Sequence, residues 1–424
     1  MTGPQLPAAV QRTIRNNPEL RRRCADEMAT TFNSNLSFSY RPNAKYGPAD
    51  FYKIMMGAVT LNSTVYGYAE SMRRCKTNSL GLYKGHRMVP SGEWATNICQ
   101  QIRPEDMMKA FADMAASQVE QMHDLGMMQD SVIDIACDMH LEQHWHKKHG
   151  TDLIRSKSNG RTGLFARYIT AQSTKAGEQL ILAGTLMPAL EETSDYVRMM
   201  VSDCRKAGVE VGIITLDRGF FSTSVIMTLG VLGVGYLIPC INTSKVVEAI
   251  REFAAKKRPA VSRCRITSAS GDSVEYYMVI TRRKKRKKKD SNLPEDRYIA
   301  FATNRPWEDV KKYARRWMIE TGYRMVKNMQ VKTRSRNHVY RTFCFLYSLA
   351  VYNAWVLVNA ENRWLQKMMN GKYRNITQTD LKVLLLRWLF SGEWNWKGPP
   401  GSIPHTSTVG PVAVPEECSH NHDG

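Results

Sequence analysis

The sequence predicts a mixed α/β fold, a sheet with helices packed against it. Three observations carry that expectation. Short apolar runs rich in β-branched residues alternate with amphipathic helical stretches between residues 131 and 241. Two of these runs, residues 131–138 (SVIDIACD) and 209–216 (VEVGIITL), lead into aspartates, Asp138 and Asp217. A helical region precedes the alternation, and a strand-bearing block interrupts it before a last strand.

In order along the chain, residues 1–127 read as helical. Pro48-Ala49-Asp50 opens one helix, with Phe51, Ile54, Met55 and Val59 on its apolar face. Pro90-Ser91-Gly92 precedes a short amphipathic run through Trp94, Ile98 and Ile102. Pro104-Glu105-Asp106 opens a helix to about residue 125, carrying Met107, Met108, Phe111 and Met114. With Arg73, Arg74 and Lys76 nearby, two readings stay open: a helix-turn-helix reader of DNA ends, or a plain helical bundle.

Strands are then expected at 131–138, 165–170 and 179–186, a helix at 191–207, a strand at 209–216, and a further helix before a strand at 235–241. The block 242–296 breaks the alternation as an insertion. It holds a helix near 246–253 and a hairpin of 263–267 with 273–281, turning at Ser270-Gly271-Asp272. Eight consecutive basic residues follow, 282–289. They read either as a clamp on a DNA backbone or as a solvated loop.

A strand at 297–303 resumes the fold. A helix is expected from near Pro306, capped by Thr303 or Asn304. The uncharged stretch 342–360 packs behind it. The expected organisation is 1–127 helical and DNA-end-binding, 128–360 catalytic, 361–393 a C-terminal helical segment, and 394–424 a disordered tail rich in Gly, Pro, Ser, Thr and His.

The charge balance narrows the partners. Lys and Arg number 60 against 39 Asp and Glu, a net charge of +21, which favours a polyanion, nucleic acid above all. Residues 342–360 are just long enough to cross a bilayer. Their Ser348, Asn353 and Asn359 mark a buried helix instead, so no membrane partner is expected. The N-terminal residues lack an apolar signal-peptide core, and the nine cysteines include no C-x2-C pair. A reduced, cytoplasmic protein is expected.

The most informative pattern is Y-x2-R-x3-E-x6-K: Tyr313, Arg316, Glu320 and Lys327. On one helix these side chains fall within roughly a 60° arc, with Arg324 on the same stripe. The alternative is a solvated face of charge pairs. Asp138, Asp217 and Glu320 can converge if the two strands are neighbours and the helix crosses them. Such a cluster suits two divalent ions, Mg2+ or Mn2+, for phosphodiester chemistry. Tyr313, Arg316, Arg324 and Lys327 would then position DNA. Asp134 competes with Asp138: both face the same way, but Asp138 is expected at the strand end. A zinc site from His140, Glu142, His144, His146 and His149 is the weaker candidate, because the spacing is not that of a metalloprotease. Core packing is expected for Trp307 and Trp317, with stacking on an unpaired base as the alternative.

These motifs resemble the DDE transposases of prokaryotic insertion sequences, in the family called insertion-sequence four. All four quartet positions match its signature, and Asp217-Arg218-Gly219-Phe220 matches its second aspartate; Ala136-Cys137-Asp138-Met139-His140 is the weakest match. The resemblance covers roughly residues 130–360. It implies a ribonuclease-H-like catalytic domain with a β-containing insertion, Asp138, Asp217 and Glu320 as metal-binding catalytic residues, and double-stranded DNA (terminal repeats and target) as partner. It also implies a homodimer in the DNA complex.

Overall fold

The computed structural model describes residues 45–74, 89–144, 153–156, 163–283, 293–307, 310–368 and 375–390, with Phe32 and Leu36. Lys76, most of the 282–289 run, His146, His149 and the 394–424 tail lie outside the described residues.

Among the described residues, four helices come first: α1 (Pro48–Thr60), α2 (Val65–Arg74), α3 (Gly92–Gln101) and α4 (Pro104–Asp124). Their starts follow local chemistry. Pro48 and Pro104 stand in first turns, where a missing N–H costs nothing. The Asp50 carboxylate accepts from the Gly47 N–H at 3.0 Å, and the Ser91 hydroxyl accepts from the Trp94 N–H at 3.1 Å.

The sheet follows, with strands β1 (Ile133–Gln143), β2 (Leu153–Arg155), β3 (Leu164–Ser173), β4 (Ile181–Leu186), β5 (Val211–Leu216) and β6 (Gly235–Pro239). Strands β7 (Val261–Thr267), β8 (Ser273–Arg282) and β9 (Tyr298–Thr303) complete it. The order is β2-β3-β1-β5-β6-β9-β8-β7, with β4 also paired to β3. β4, β3 and β1 form an antiparallel meander, and β1, β5 and β6 run parallel. Helices α5 (Thr193–Lys206) and α6 (Thr223–Val231) make the crossovers into β5 and β6. A meander feeding a parallel trio in this order is a ribonuclease-H-like sheet. Beyond it, β9 pairs antiparallel with β6, and the β7–β8 hairpin continues the same sheet through β9. Helix α7 (Ser244–Ala254) links β6 to β7. Strand β5 is buried at all six positions, which explains why its sequence is apolar without alternation.

Among the described residues, three helices close the fold: α8 (Trp317–Asn328), α9 (His338–Met368) and α10 (Gln378–Phe390). Among the described residues, α9 is the one helix long and apolar enough to cross a membrane, and its most apolar stretch is 94% buried in this fold. Its polar residues have internal partners. Asn353 donates to the Ile181 carbonyl (2.8 Å) and accepts from the Ile181 N–H (2.9 Å), joining α9 to β4. Ser348 accepts from the Val331 N–H at 3.0 Å. Phe32 meets both Phe111 of α4 and Phe343 of α9, at 6.3 and 6.1 Å between ring centres. The helices of the N-terminal region therefore share one hydrophobic core with the sheet.

Two local expectations are corrected. The helix expected from near Pro306 starts at Trp317, and a 3-10 segment, Val310–Arg316, precedes it. Asn304 does not cap it. Its side chain accepts from the Tyr236 N–H (3.1 Å) and donates to the Val234 carbonyl (3.0 Å), tying β9 to the start of β6. The Thr303 hydroxyl accepts from the Arg305 N–H at 2.9 Å. Asp138, in turn, is not at the end of its strand. β1 runs on to Gln143 because Asp138, His140 and Glu142 keep their pairing with Thr170, Tyr168 and Ala166 of β3.

Candidate active site

What ends near Asp138 is the parallel pairing. Its last β1–β5 pair is Cys137↔Leu216, so Asp138 and Asp217 are the next residues on two adjacent strands. Strands in a sheet lie about 4.8 Å apart, so the register alone brings the two aspartates together at one edge. Asp217 also closes the turn that follows. Its carboxylate accepts from the Gly219 N–H at 2.8 Å, capping Arg218–Phe220. A Cβ at Gly219 would sit 3.0 Å from that oxygen, which accounts for glycine there.

Helix α8 brings Glu320 to this edge, and three features seat it. Ile319 and Tyr323 pack on Ala136 of β1 in a small apolar cluster. The Tyr323 hydroxyl donates to the backbone carbonyl of Asp138 at 3.0 Å. Its single proton thus committed, it accepts from the Thr170 hydroxyl at 2.6 Å. Gly322 permits close approach to β3, since a Cβ there would sit 2.6 Å from the Gln172 amide oxygen.

Arg316 lies between the carboxylates. One guanidinium nitrogen is 3.0 Å from Asp138 and the other bonds Glu320. Its side chain is only 16% exposed. The 3-10 conformation places residues three apart directly above one another. Arg316 accordingly lies over the Tyr313 ring, 5.5 Å from its centre, and that ring packs on Phe301 at 4.9 Å. Burial raises the Asp138 carboxyl to about 6. Arg316 opposes the rise, Asp217 and Glu320 add to it, and the Met139 N–H moderates it. Burial likewise lifts the Tyr313 phenol to about 12, against the pull of Arg316.

The structure thus brings together Asp138, Glu320, Arg316 and Tyr313, with Asp217 within electrostatic range. Lys327 stands apart, two turns along α8, close enough to His140 and Glu142 to affect both. Arg324 is exposed and makes no ion pair among the described residues. Asp134 faces other partners: it accepts from the Ile213 N–H at 3.1 Å and lies 3.5 Å from Lys312 and 3.8 Å from Arg315. Trp307 and Trp317 are 76% and 59% exposed, so neither is a core residue.

Sequence reasoning missed Tyr323 and Thr170, which fix the edge where Asp138 and Glu320 meet, and Gly322. The signal for Tyr323 was present, a phenol one turn after Glu320 on the sheet-facing side. It also passed over Glu142 as anything but a zinc ligand. Glu142 is bonded by Gln330, lies 3.6 Å from Arg341, and is raised to about 7 by burial, with Arg341, Lys327 and Gln330 acting the other way. His140 stacks between Tyr323 and Phe345, at 4.9 and 6.0 Å.

Among the described residues, no three His, Cys, Asp or Glu side chains are arranged to hold one metal ion. The donor chemistry nonetheless fits a hard divalent cation. Asp138, Asp217 and Glu320 are oxygen ligands that repel one another, and burial with that repulsion already disfavours the Asp138 anion. The position between two of them holds a guanidinium.

Residues 146–354 match the transposase DDE domain family. The match takes in Asp217 and the whole quartet and begins after Asp138. No curated protein matches the chain. Among solved structures it is similar to a cryo-EM structure of a piggyBac transposase synaptic complex with hairpin DNA, at 11% identity and a TM-score of 0.48. That likeness covers 94% of this chain and 86% of the other.

Proposed function

Because residues 146–354 match the transposase DDE domain family, we propose that this chain cuts DNA at the terminal repeats of its own element and joins the freed 3′-hydroxyls to target DNA. The finer kinship, to the insertion-sequence-four transposases of prokaryotes, rests on the intact spacing of Tyr313, Arg316, Glu320 and Lys327. The single observation that carries the reading is the meeting of Asp138 and Glu320 at the edge where Asp217 leaves the next strand.

Asp138, Asp217 and Glu320 would hold two divalent ions, Mg2+ or Mn2+. Bound there, the ions supply Lewis-acid activation of a water or 3′-hydroxyl and charge stabilisation at the leaving oxygen. The chain's own residues do the rest. Arg316 presents a planar fork suited to a phosphate, backed by the Tyr313 ring. Lys327, roughly 10 Å along the helix from Glu320, meets a neighbouring phosphate as a point charge. Tyr323 holds the Asp138 backbone at a fixed height against α8. Exposed Trp307 and Trp317 flank the segment that carries Arg316 and offer stacking surfaces to a base. Two element ends must be held together, so a homodimer on DNA is part of the reading.

The test is a cleavage and strand-transfer assay on DNA bearing the element's ends, with Mg2+ or Mn2+, comparing wild type with Asp217→Ala. Metal-dependent cutting at the ends is expected in the wild type, with a loss of at least a hundredfold in the variant. Equal cutting of DNA that lacks the ends would indicate a structure-specific nuclease instead. Specific binding without cutting in either metal would leave a non-catalytic DNA-binding protein.

A further inference from the structure

We propose that Arg316 occupies the cation position of the metal-free site and is drawn off it by DNA, so that DNA and the divalent ion bind with positive coupling. The proposal deepens the functional reading and rests on it.

The geometry is specific. Arg316 is not a surface cation that happens to pass near acids. It is mostly buried, one nitrogen lies 3.0 Å from Asp138, the other bonds Glu320, and an aromatic face backs it. It spans a strand and a helix that are 182 residues apart in sequence, from Asp138 to Glu320. Its buried Nε has no hydrogen-bond partner among the described residues, so the fork is not fully satisfied where it sits. The same two carboxylates are the ligands a divalent ion would take. A guanidinium and such an ion cannot both sit between them without bringing cations together at short range. Loading of the ion therefore requires the fork to swing away.

A DNA phosphate offers the destination. It is the anion whose oxygens match the guanidinium fork, and it enters at the edge where Asp138 and Asp217 end the parallel pairing. Once the fork has moved to phosphate, the three carboxylates lose their internal cation and their mutual repulsion favours the ion. By linkage, whatever DNA does for the ion, the ion does for DNA. The exchange keeps the hydrolytic site closed until the substrate is present.

The experiment measures Mn2+ binding to the full chain by isothermal titration, with and without a DNA duplex carrying the element ends, in wild type, Arg316→Gln, Arg316→Lys and Glu320→Gln. Thermal melting without metal confirms that each variant is folded. In the wild type, DNA is expected to tighten Mn2+ binding roughly tenfold. Arg316→Gln is expected to bind Mn2+ about tenfold more tightly than wild type without DNA, and to lose the DNA effect. Arg316→Lys, which keeps a charge but not the fork, falls between them. Wild type whose binding disappears in Glu320→Gln, while Arg316→Gln binds no more tightly than wild type without DNA, would overturn the exchange and leave the metal reading standing. Binding unaffected by Glu320→Gln, or absent from every form, would overturn both.

Discussion

At the scale of single residues, the site is fixed by groups that do no chemistry. Tyr323 is the clearest. Its hydroxyl bridges the Asp138 carbonyl and the Thr170 hydroxyl, and removing it leaves two buried partners short of a bond. Tyr323→Phe is expected to cost about 1–3 kcal/mol of stability, read by denaturant unfolding. It should also lower the cleavage rate more than DNA affinity, because Asp138 shifts and the DNA surface does not. Two other buried groups on β1 predict a pH response of opposite signs. Glu142 is raised to about 7, so its folded form holds a proton that the unfolded chain gives up. Its contribution is present below about 4.5 and is lost as pH rises to 7. His140 is lowered to about 4, first by burial and then by Lys327. Its contribution is present above about 6.5 and is lost as pH falls toward 4. Melting temperature against pH should therefore change slope in opposite directions for Glu142→Gln and His140→Gln. Identical profiles for the two variants would contradict both assignments. Glu320 stood out in the sequence because the quartet's spacing is a pattern, and Asp217 because it follows an apolar run, whereas Asp138 was preferred to Asp134 on a strand end that β1 does not have. Tyr323 and Thr170 were not, because their partnership depends on which strand lies under the helix.

At the scale of elements, helix α8 and strand β1 form the unit that matters. The sequence placed Tyr313 and Arg316 on the same helix as Glu320, and that was legible only in part. The chain instead winds through a 3-10 segment first, which stacks Arg316 on Tyr313. Helical periodicity does not distinguish the two over so short a stretch. The strand end was misjudged for a similar reason. An apolar run shows where a strand is buried, whereas β1 continues beyond that run with polar residues held by β3. Docking of α8 on β3 depends on Gly322. Adding a methyl group there meets Gln172, itself held by Tyr352 at 3.2 Å. Gly322→Ala is expected to cost about 1–3 kcal/mol despite the better helix propensity of alanine, and to lower cleavage by shifting Glu320. A variant as stable and active as wild type would show that the contact is loose.

At the scale of the whole molecule, the alternating strands and helices of the sheet followed from composition and spacing, because β-branched apolar runs between turns have few other uses. The sheet order did not follow, since pairing between distant strands leaves no local mark. Continuity of the core was equally hidden. The N-terminal helices read as a separate region, yet Phe32 and α4 pack into the core that α9 builds with the sheet. That long apolar helix was correctly placed inside, and its asparagines turn out to be the bonds that hold it to β4 and to the start of α10. The net charge of +21 suits the proposed DNA partner but locates nothing.

The proposed function turns on Asp138, and not Asp134, as the first carboxylate of the site. Asp134 is committed to the Ile213 N–H and to Lys312 and Arg315, while Asp138 faces Arg316 and Glu320. The direct measurement is the rate of end cleavage in Mg2+ for Asp138→Asn and Asp134→Asn, each first shown to be folded and to bind DNA. Asp138→Asn is expected to lose at least a hundredfold, and Asp134→Asn to change within a few fold. Full activity in Asp138→Asn with none in Asp134→Asn would contradict it.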